Sequence, residues 1–308
     1  MTSYSVLFLS SAEISVLLLQ ALHRDERFDV VGVICQPDKP AGRDLIVKKP
    51  APKIEAERLG IAVFQPEKLG DADELLEKFS AEPPDFLITF AYGQILNSDW
   101  LALPKVEALN VHASLLPKYR GASPIQAAIL NGEKKTGLCL MRMVKEMDAG
   151  PVFSTIDVLI PKDVTAGFLH DELARVAADW VPDQIANLSD AVDQSIAEVS
   201  YCKKLSKDDG FIDFQESARM IRAKFLAYSP WPGLWTTYQG KRLKLVDIAL
   251  GAETLAPGQL HVEDGKLHVG TIDGSILINQ LQLEGKKCLH ADIYIIGQPE
   301  FASSSLPS

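Results

Sequence analysis

"YSVLFLSSAEISVLLLQALHR", residues 4–24, begins with a β-rich apolar run and passes through a short polar turn into an amphipathic stretch over 12–23. A strand feeding a helix in this way is the first half of a strand–helix–strand unit. The alternation then repeats. Apolar β-rich runs at 29–35, 61–64, 85–91 and 106–111 are separated by helical stretches such as 52–59 and 72–80. Gly60 follows "EAERL" where a residue just past a helix end belongs. Strands alternating with helices imply an α/β fold built on a parallel, doubly wound sheet.

The first strand-to-helix turn, "LSSAEIS" (9–15), has no G-x-G-x-x-G, so the Rossmann-like order does not carry a dinucleotide fingerprint. No Walker A sequence occurs, and "GASPI" (121–125) is not a nucleophile elbow. Farther on, Ser123-Pro124 reads as an N-cap and first-turn proline, 136–144 alternates like a strand, and 165–188 reads as a helix. A helix over 216–228 precedes short strands divided by Gly, Pro and Asp-Gly turns, the pattern of a small β-barrel. The 308 residues therefore divide into a first domain at 1–189, a polar linker at 190–208 and a second domain at 209–308, with a frayed tail "FASSSLPS".

Composition narrows the function classes. Cys35, Cys139, Cys202 and Cys288 lie apart with no C-x-x-C, which fits buried reduced thiols better than a disulfide framework or a zinc site. No apolar run approaches a membrane span, and the N-terminus lacks a basic segment before its apolar run, so a cytoplasmic protein is expected. The net charge of −10 lies entirely within residues 1–200, because residues 201–308 balance 12 basic against 12 acidic side chains. Any polyanionic partner must be met by local basic surface. One such surface is legible: residues 36–53 hold Lys39, Arg43, Lys48, Lys49 and Lys53 against Asp38 and Asp44. Long irregular loops in compact domains are uncommon unless they work, which favours function here.

The chemistry gathers in "NVHASLLPKYRGASPIQ", residues 110–126. With period two, Asn110 and His112 share a strand face at the carboxyl end of the fifth strand, where ligands of open α/β sheets collect. Asp148, in "MDAG" after the following strand, is placed to reach the imidazole. A carboxamide, an imidazole and a carboxylate suit acyl transfer to an amine that is itself the nucleophile. Taken alone, an Asn-x-His pair is more often a hydrogen-bonded strand end, and Asp-Ala-Gly more often a turn. A metal bound by His112 and Asp148 lacks a third ligand nearby.

With these words in place the chain resembles the formyltransferases that use 10-formyltetrahydrofolate, over nearly its whole length. The resemblance implies catalytic Asn110, His112 and Asp148, with folate held by Ser114, Leu115, Leu116 and Pro117 and by the loop "FAYGQIL" through Ala91, Tyr92, Gly93, Gln94 and Ile95. "QPDKPAGR" (36–43) resembles the insertion of the branch whose acceptor is methionyl initiator tRNA, which implies tRNA contacts from Arg43, Lys39, Lys48 and Lys49. "LSK" (205–207), "PWPG" (230–233) and "GKK" (285–287) match that branch's C-terminal, OB-like β-barrel. The resemblance thus implies a Rossmann-like formyltransferase domain plus an OB-like barrel, no metal, no membrane and a monomer. Two departures stand out: Ser10-Ser11-Ala12 replaces the usual Gly-Thr-Pro turn, and "DLIV" (44–47) precedes Lys48-Lys49. Open alternatives are a sugar-nucleotide N-formyltransferase, a formyltetrahydrofolate hydrolase domain and a non-catalytic RNA-binding module.

Overall fold

The structure is a computed structural model and describes residues 3–41 and 46–307. It divides into two compact units. The first comprises residues up to 124, 135–159 and 169–203; the second comprises 125–134, 160–168 and 204 onward.

In the first unit β1 (Tyr4–Leu9) leads through a 3-10 turn to α1 (Val16–Arg24) and β2 (Phe28–Ile34). An antiparallel pair of short strands, β3 (Lys39–Ala41) and β4 (Ile46–Lys48), precedes α2 (Ala51–Leu59), β5 (Val63–Phe64), α3 (Asp73–Ala81) and β6 (Phe86–Thr89). Then come α4 (Ser98–Ala102), β7 (Glu107–His112) and β8 (Arg120–Gly121), while α5 (Pro124–Leu130) falls in the second unit from Ile125 on. The strands β9 (Lys135–Arg142) and β10 (Val152–Leu159), the helix α6 (Ala166–Ala186) and the short strand β11 (Tyr201–Cys202) follow. The main sheet has the order β10-β9-β7-β6-β1-β2-β5. Its pairs from β5 to β7 are parallel, whereas β9 and β10 are antiparallel additions.

Burial explains the sequence pattern. Val6–Leu9 and Leu87–Ile88 are fully buried because helices cover both sheet faces, so these strands read as continuous apolar runs. Leu18, Leu19 and Leu22 give α1 its buried stripe. Gly60 ends α2 at φ 74°, a left-handed position in which its N–H reaches the carbonyls of Ala56 and Glu57. The chain builds β2 and β5 on one side of β1, then returns to build β6 and β7 on the other. The carboxyl ends of β1 and β6 therefore flank the topological switch point, the place where open α/β sheets bind their ligands. The expected strand at 85–91 ends early, at Thr89, because Ala91 and Gly93 turn the chain at φ 54° and 79°.

The second unit contains α7 (Ala218–Tyr228) and six strands: β12 (Leu234–Tyr238), β13 (Lys241–Leu250), β14 (Leu260–Glu263), β15 (Lys266–Thr271), β16 (Gly274–Leu283) and β17 (Leu289–His290). The helix α8 (Ala291–Gly297) follows them in the chain. The sheet order is β12-β13-β16-β15-β14, with β17 added to β16. Two-residue turns at Gln239-Gly240 and Asp264-Gly265, all four residues at positive φ, join the hairpins as their twist requires. The register of β13 on β16 shifts on both sides of Asp247, and such bulges bend a sheet. Ser217 caps α7 through Met220 N–H at 3.1 Å, so the helix expected from 216 starts at 218.

Three expectations change. The loop at 36–53 holds regular structure among its described residues, since β3 and β4 pair in antiparallel register, Lys39 opposite Lys48. Cys288 is exposed, not buried. The described tail, 301–307, is not frayed: Phe301 and Leu306 are buried, and Leu306 N–H donates to Gly258 O at 2.8 Å. Phe301 meets the rings of Tyr238 and Tyr294 at centroid distances of 4.7 and 5.0 Å. Phe301→Ala is expected to destabilise the protein by about 3–5 kcal/mol, the usual cost of emptying such a site, read as a lowered midpoint in urea unfolding. An unchanged midpoint would mean the tail adds nothing to this core.

Candidate active site

Strand β7 delivers Asn110 and His112 between parallel β6 and antiparallel β9: Asn110 lies opposite Thr89 and Met141, and His112 opposite Cys139. Thr89 Oγ1 donates to Asn110 Oδ1 at 2.7 Å. That bond turns Asn110 Nδ2 toward Asp148 Oδ1, 3.4 Å away. His112 is 6% exposed, and its Nε2 lies 3.0 Å from the Tyr119 carbonyl oxygen. A carbonyl only accepts, so Nε2 carries the proton and Nδ1 of the neutral ring has a lone pair. Nδ1 stands 3.7 Å from Asp148 Oδ1, an ion-pair distance too long for a hydrogen bond. Asp148 sits in the left-handed region at φ 50° and accepts Gly121 N–H on Oδ2 at 2.8 Å. The sequence-selected Asn110, His112 and Asp148 are thus brought together.

The segment between His112 and Gly121 is a folded turn. Ser114 is fully buried and donates from Oγ to Lys118 O at 2.6 Å, while Lys118 N–H donates to Leu115 O at 3.2 Å. The Leu116-Pro117 peptide is cis, and Leu116 N–H reaches Cys139 Sγ at 3.3 Å. Burial pushes the Cys139 thiol up to about 12 and the Cys35 thiol up to about 11.

The loop 90–96 is anchored at both ends by apolar packing, with Phe90, Tyr92 and Leu96 buried. Ala91 O accepts Ser11 N–H at 3.3 Å, and Tyr92 O accepts Gln36 Nε2 at 3.0 Å. These bonds tie the loop to the turn after β1 and to the end of β2, at the switch point. Gln94 turns its amide toward Leu69 N–H and Glu67 O, and Ile95 is 78% exposed.

Of the basic group, Arg43 lies outside the described residues. Lys39 donates to Gln36, Lys49 pairs with Glu57 at 2.8 Å, and Lys53 pairs with Asp38 at 2.8 Å. Part of the loop's positive charge is therefore matched locally. Trp231 in the second unit is 51% exposed, and Lys286 and Lys287 are exposed.

Sequence reasoning missed several residues that touch the site. Thr89 and Gly121 orient Asn110 and Asp148. Arg120, 8% exposed, donates twice to Gln194 Oε1, and Gln194 Nε2 donates to the carbonyls of Asp148 and Gly150. Tyr119 N–H donates to Ser200 Oγ at 2.9 Å, and β11 pairs with β8. The one available signal was the Arg-Gly step in "KYRGA", a buried cation beside a glycine. Among the described residues no three His, Cys, Asp or Glu side chains are grouped to hold a metal.

A family model described as formyl transferase matches residues 5–185, and another, formyl transferase C-terminal domain, matches 204–299. These two matches define the class, the formyl transferases. The methionyl-tRNA formyltransferase of Macrococcus caseolyticus is 36% identical over 297 residues, covering 95% of each chain. That of Roseiflexus castenholzii is 38% identical over 296 residues, covering 94% of each. The chain belongs to the methionyl-tRNA formyltransferase family. Among solved structures, the methionyl-tRNA formyltransferase from Clostridium thermocellum matches with TM-score 0.59 at 13% identity, covering 91% of this chain and 98% of that one. The N-formyltransferase from Helicobacter canadensis matches with TM-score 0.64 at 17% identity, covering 90% and 99%. At these identities the likeness speaks for the fold alone.

The thiols give a pH prediction. A folded-state pKa raised from the ordinary 9.0 to about 11 for Cys35 and 12 for Cys139 means that folding favours the protonated thiol. That contribution is fully present below pH 9.0 and is lost as pH rises toward those values. At pH 8 the native protein should therefore alkylate fast at exposed Cys288, and at Cys35 and Cys139 only after unfolding, as mass spectrometry of labelled peptides would read. Fast native labelling of Cys139 would contradict its burial.

Proposed function

We propose that the chain transfers the formyl group of 10-formyltetrahydrofolate to the α-amino group of methionyl initiator tRNA. The observation that carries this reading is the convergence of Asn110, His112 and Asp148 at 3.4–3.7 Å at the carboxyl end of β7 in a chain of this family. The substrate amine is the nucleophile, so the enzyme supplies only proton handling and charge stabilisation. Asn110 Nδ2 donates to the formyl oxygen as it gains negative charge. His112 takes the amine proton on Nδ1, because Nε2 is committed to Tyr119 O. The resulting imidazolium lies 3.7 Å from Asp148, and it returns its proton to N10 of the folate as the formyl–N10 bond breaks and tetrahydrofolate leaves. A charge pair near that separation attracts by about 4 kcal/mol at the effective dielectric of a protein surface, before desolvation is counted.

The folate fits the residues at the switch point. Main-chain groups of Ala91–Ile95 beside buried Tyr92 and Leu96 offer a polar edge over an apolar floor, the chemistry a flat heterocycle needs. Ser114, Leu115, Leu116 and Pro117 form the second wall. Arg43, with Lys39, Lys48 and Lys49, meets the tRNA backbone, and the chain works as a monomer in the cytoplasm. The reading keeps a catalytic domain at 1–189, a linker at 190–208 and a tRNA-binding domain at 209–308, and assigns no metal.

Asn110→Ala should lower kcat by roughly 10²–10³-fold, the usual effect of losing one oxyanion donor. His112→Ala should lower it by about 10²–10⁴-fold, both read as tetrahydrofolate release dependent on charged initiator tRNA. Near-normal turnover in either variant would sink the role assignment.

Arg43→Ala should weaken use of methionyl-tRNA and flatten the salt dependence of its KM, since each phosphate neutralised by a side chain releases counterions. Arg43→Lys should rescue only in part, because an ammonium lacks the planar fork. Unchanged efficiency across a salt series would remove this loop as the tRNA clamp.

A further inference from the structure

Asp148 is held in an uncommon conformation at φ 50°, which a β-carbon-bearing residue keeps only when its surroundings fix it. Its loop closes tightly: a Cβ on Gly150 would lie 2.0 Å from the Arg142 carbonyl oxygen. One hold on this loop from outside is an amide. Gln194 Nε2 donates to Asp148 O at 2.9 Å and to Gly150 O at 2.7 Å. The orientation of that amide is set by Arg120, whose Nε and Nη2 donate to Gln194 Oε1 at 3.1 and 2.7 Å. A guanidinium has no acceptor, so the amide oxygen must face it and both N–H bonds must face the carbonyls. The buried cation also polarises the amide, which strengthens its donation.

The adjacent residue completes the hold. Gly121 N–H donates to Asp148 Oδ2 at 2.8 Å, so two consecutive residues of β8 grip Asp148, one at its carboxylate and one at its backbone through Gln194. Strand β8 is in turn paired with β11, which begins at Tyr201, seven residues after Gln194. The distance at stake is small: with Asp148 Oδ1 at 3.4 Å from Asn110 and 3.7 Å from His112, a backbone shift of about 1 Å would break both relations, and misplacement on that scale costs about 10²-fold.

We infer that Gln194, oriented by Arg120, is a positioning residue that sets the place of Asp148 in the formyl transfer; the inference rests on the role given above to Asp148. Gln194 touches no reacting atom and acts only through Asp148. The test is a double-mutant cycle on the full chain, with 10-formyltetrahydrofolate and methionyl initiator tRNA as substrates. Its variants are Gln194→Ala, Gln194→Glu, Asp148→Asn and the Gln194→Ala/Asp148→Asn double variant. Gln194→Glu keeps the length and a partner for Arg120 but removes the donors to the two carbonyls.

Both single Gln194 variants should lower kcat by about 10- to 100-fold with the KM of each substrate nearly unchanged, the mark of a loss felt only in the transition state. Gln194→Ala should have no further effect on the Asp148→Asn background, because its effect passes through that carboxylate. Normal kcat in the Gln194 variants beside a crippled Asp148→Asn overturns the inference alone. Additive effects in the double variant also overturn it, as does loss of folate-analogue binding in parallel with kcat, which would mark a general folding defect. Wild-type turnover in Asp148→Asn overturns the role of Asp148 itself, and this inference with it.

Discussion

A single hydrogen bond organises the end of β7: the His112 ring donates from Nε2 to the carbonyl of Tyr119, seven residues later, at 3.0 Å. The imidazole is 6% exposed, and a buried ring N–H without a partner would cost about 1–3 kcal/mol. Meeting that requirement bends the chain back on itself. Tyr119 adopts φ 60° and the Ser114 hydroxyl pins the turn from inside, through the Lys118 carbonyl. Once Tyr119 is in place, Arg120 and Gly121 follow as β8, and Gly121 N–H faces the Asp148 carboxylate. The partner of the imidazole thus fixes the strand that holds the carboxylate.

The sheet supplies the frame for that bond. Strand β7 joins the parallel half of the sheet to the antiparallel strands β9 and β10, so residues after it on β9 return directly beside it. Asp148 follows β9 and comes back to the same end of β7 without a crossover helix. The parallel half places the loop after β6 next to the turn after β1, joined through Ser11 N–H and Ala91 O. Two different strand geometries therefore meet at one end of the sheet: a parallel pair for the ligand loops and an antiparallel pair for the carboxylate.

How much of this was legible in the sequence follows from the range of each interaction. The strand and helix alternation is local, so its elements were found within a few residues. Asn110 and His112 share a face by period two, a local rule. Asp148 looked like a turn residue, and only its neighbours in sequence suggested more. Gln194 meets the Asp148 carbonyl across 46 residues through a backbone acceptor, a contact that leaves no periodic trace. Within 190–208, read as a linker from its polar composition, Ser200 and Cys202 bond to the turn at 117–122 chiefly through their backbones, with Ser200 Oγ accepting Tyr119 N–H as well, contacts that polarity alone does not show. The tail misled for the opposite reason: four serines surround two apolar anchors, Phe301 and Leu306, whose burial depends on partners far away in sequence. Between residues 36 and 53, four prolines and mixed charge hid the short antiparallel pairing of Lys39–Ala41 with Ile46–Lys48, in which Ile46 and Val47 are exposed.

The three central side chains share one property that sequence reading does not express. Each is two-ended, and each spends one end on the scaffold. Asn110 gives its oxygen to Thr89, His112 gives Nε2 to Tyr119, and Asp148 gives Oδ2 to Gly121. The remaining ends, Asn110 Nδ2, His112 Nδ1 and Asp148 Oδ1, then have no choice but to face one another, at 3.4 and 3.7 Å. Two of the three scaffold partners are main-chain groups, which neither titrate nor change rotamer. The orientation of the imidazole and of the carboxylate is thereby set by backbone geometry rather than by the protonation of neighbours. Fixed dipoles of this kind are in place before charge develops, so no reorganisation is required when it does. Residues such as Ser200 and Gln194, which hold that backbone, belong to the same arrangement at one remove: their contribution is the direction in which three ordinary side chains point.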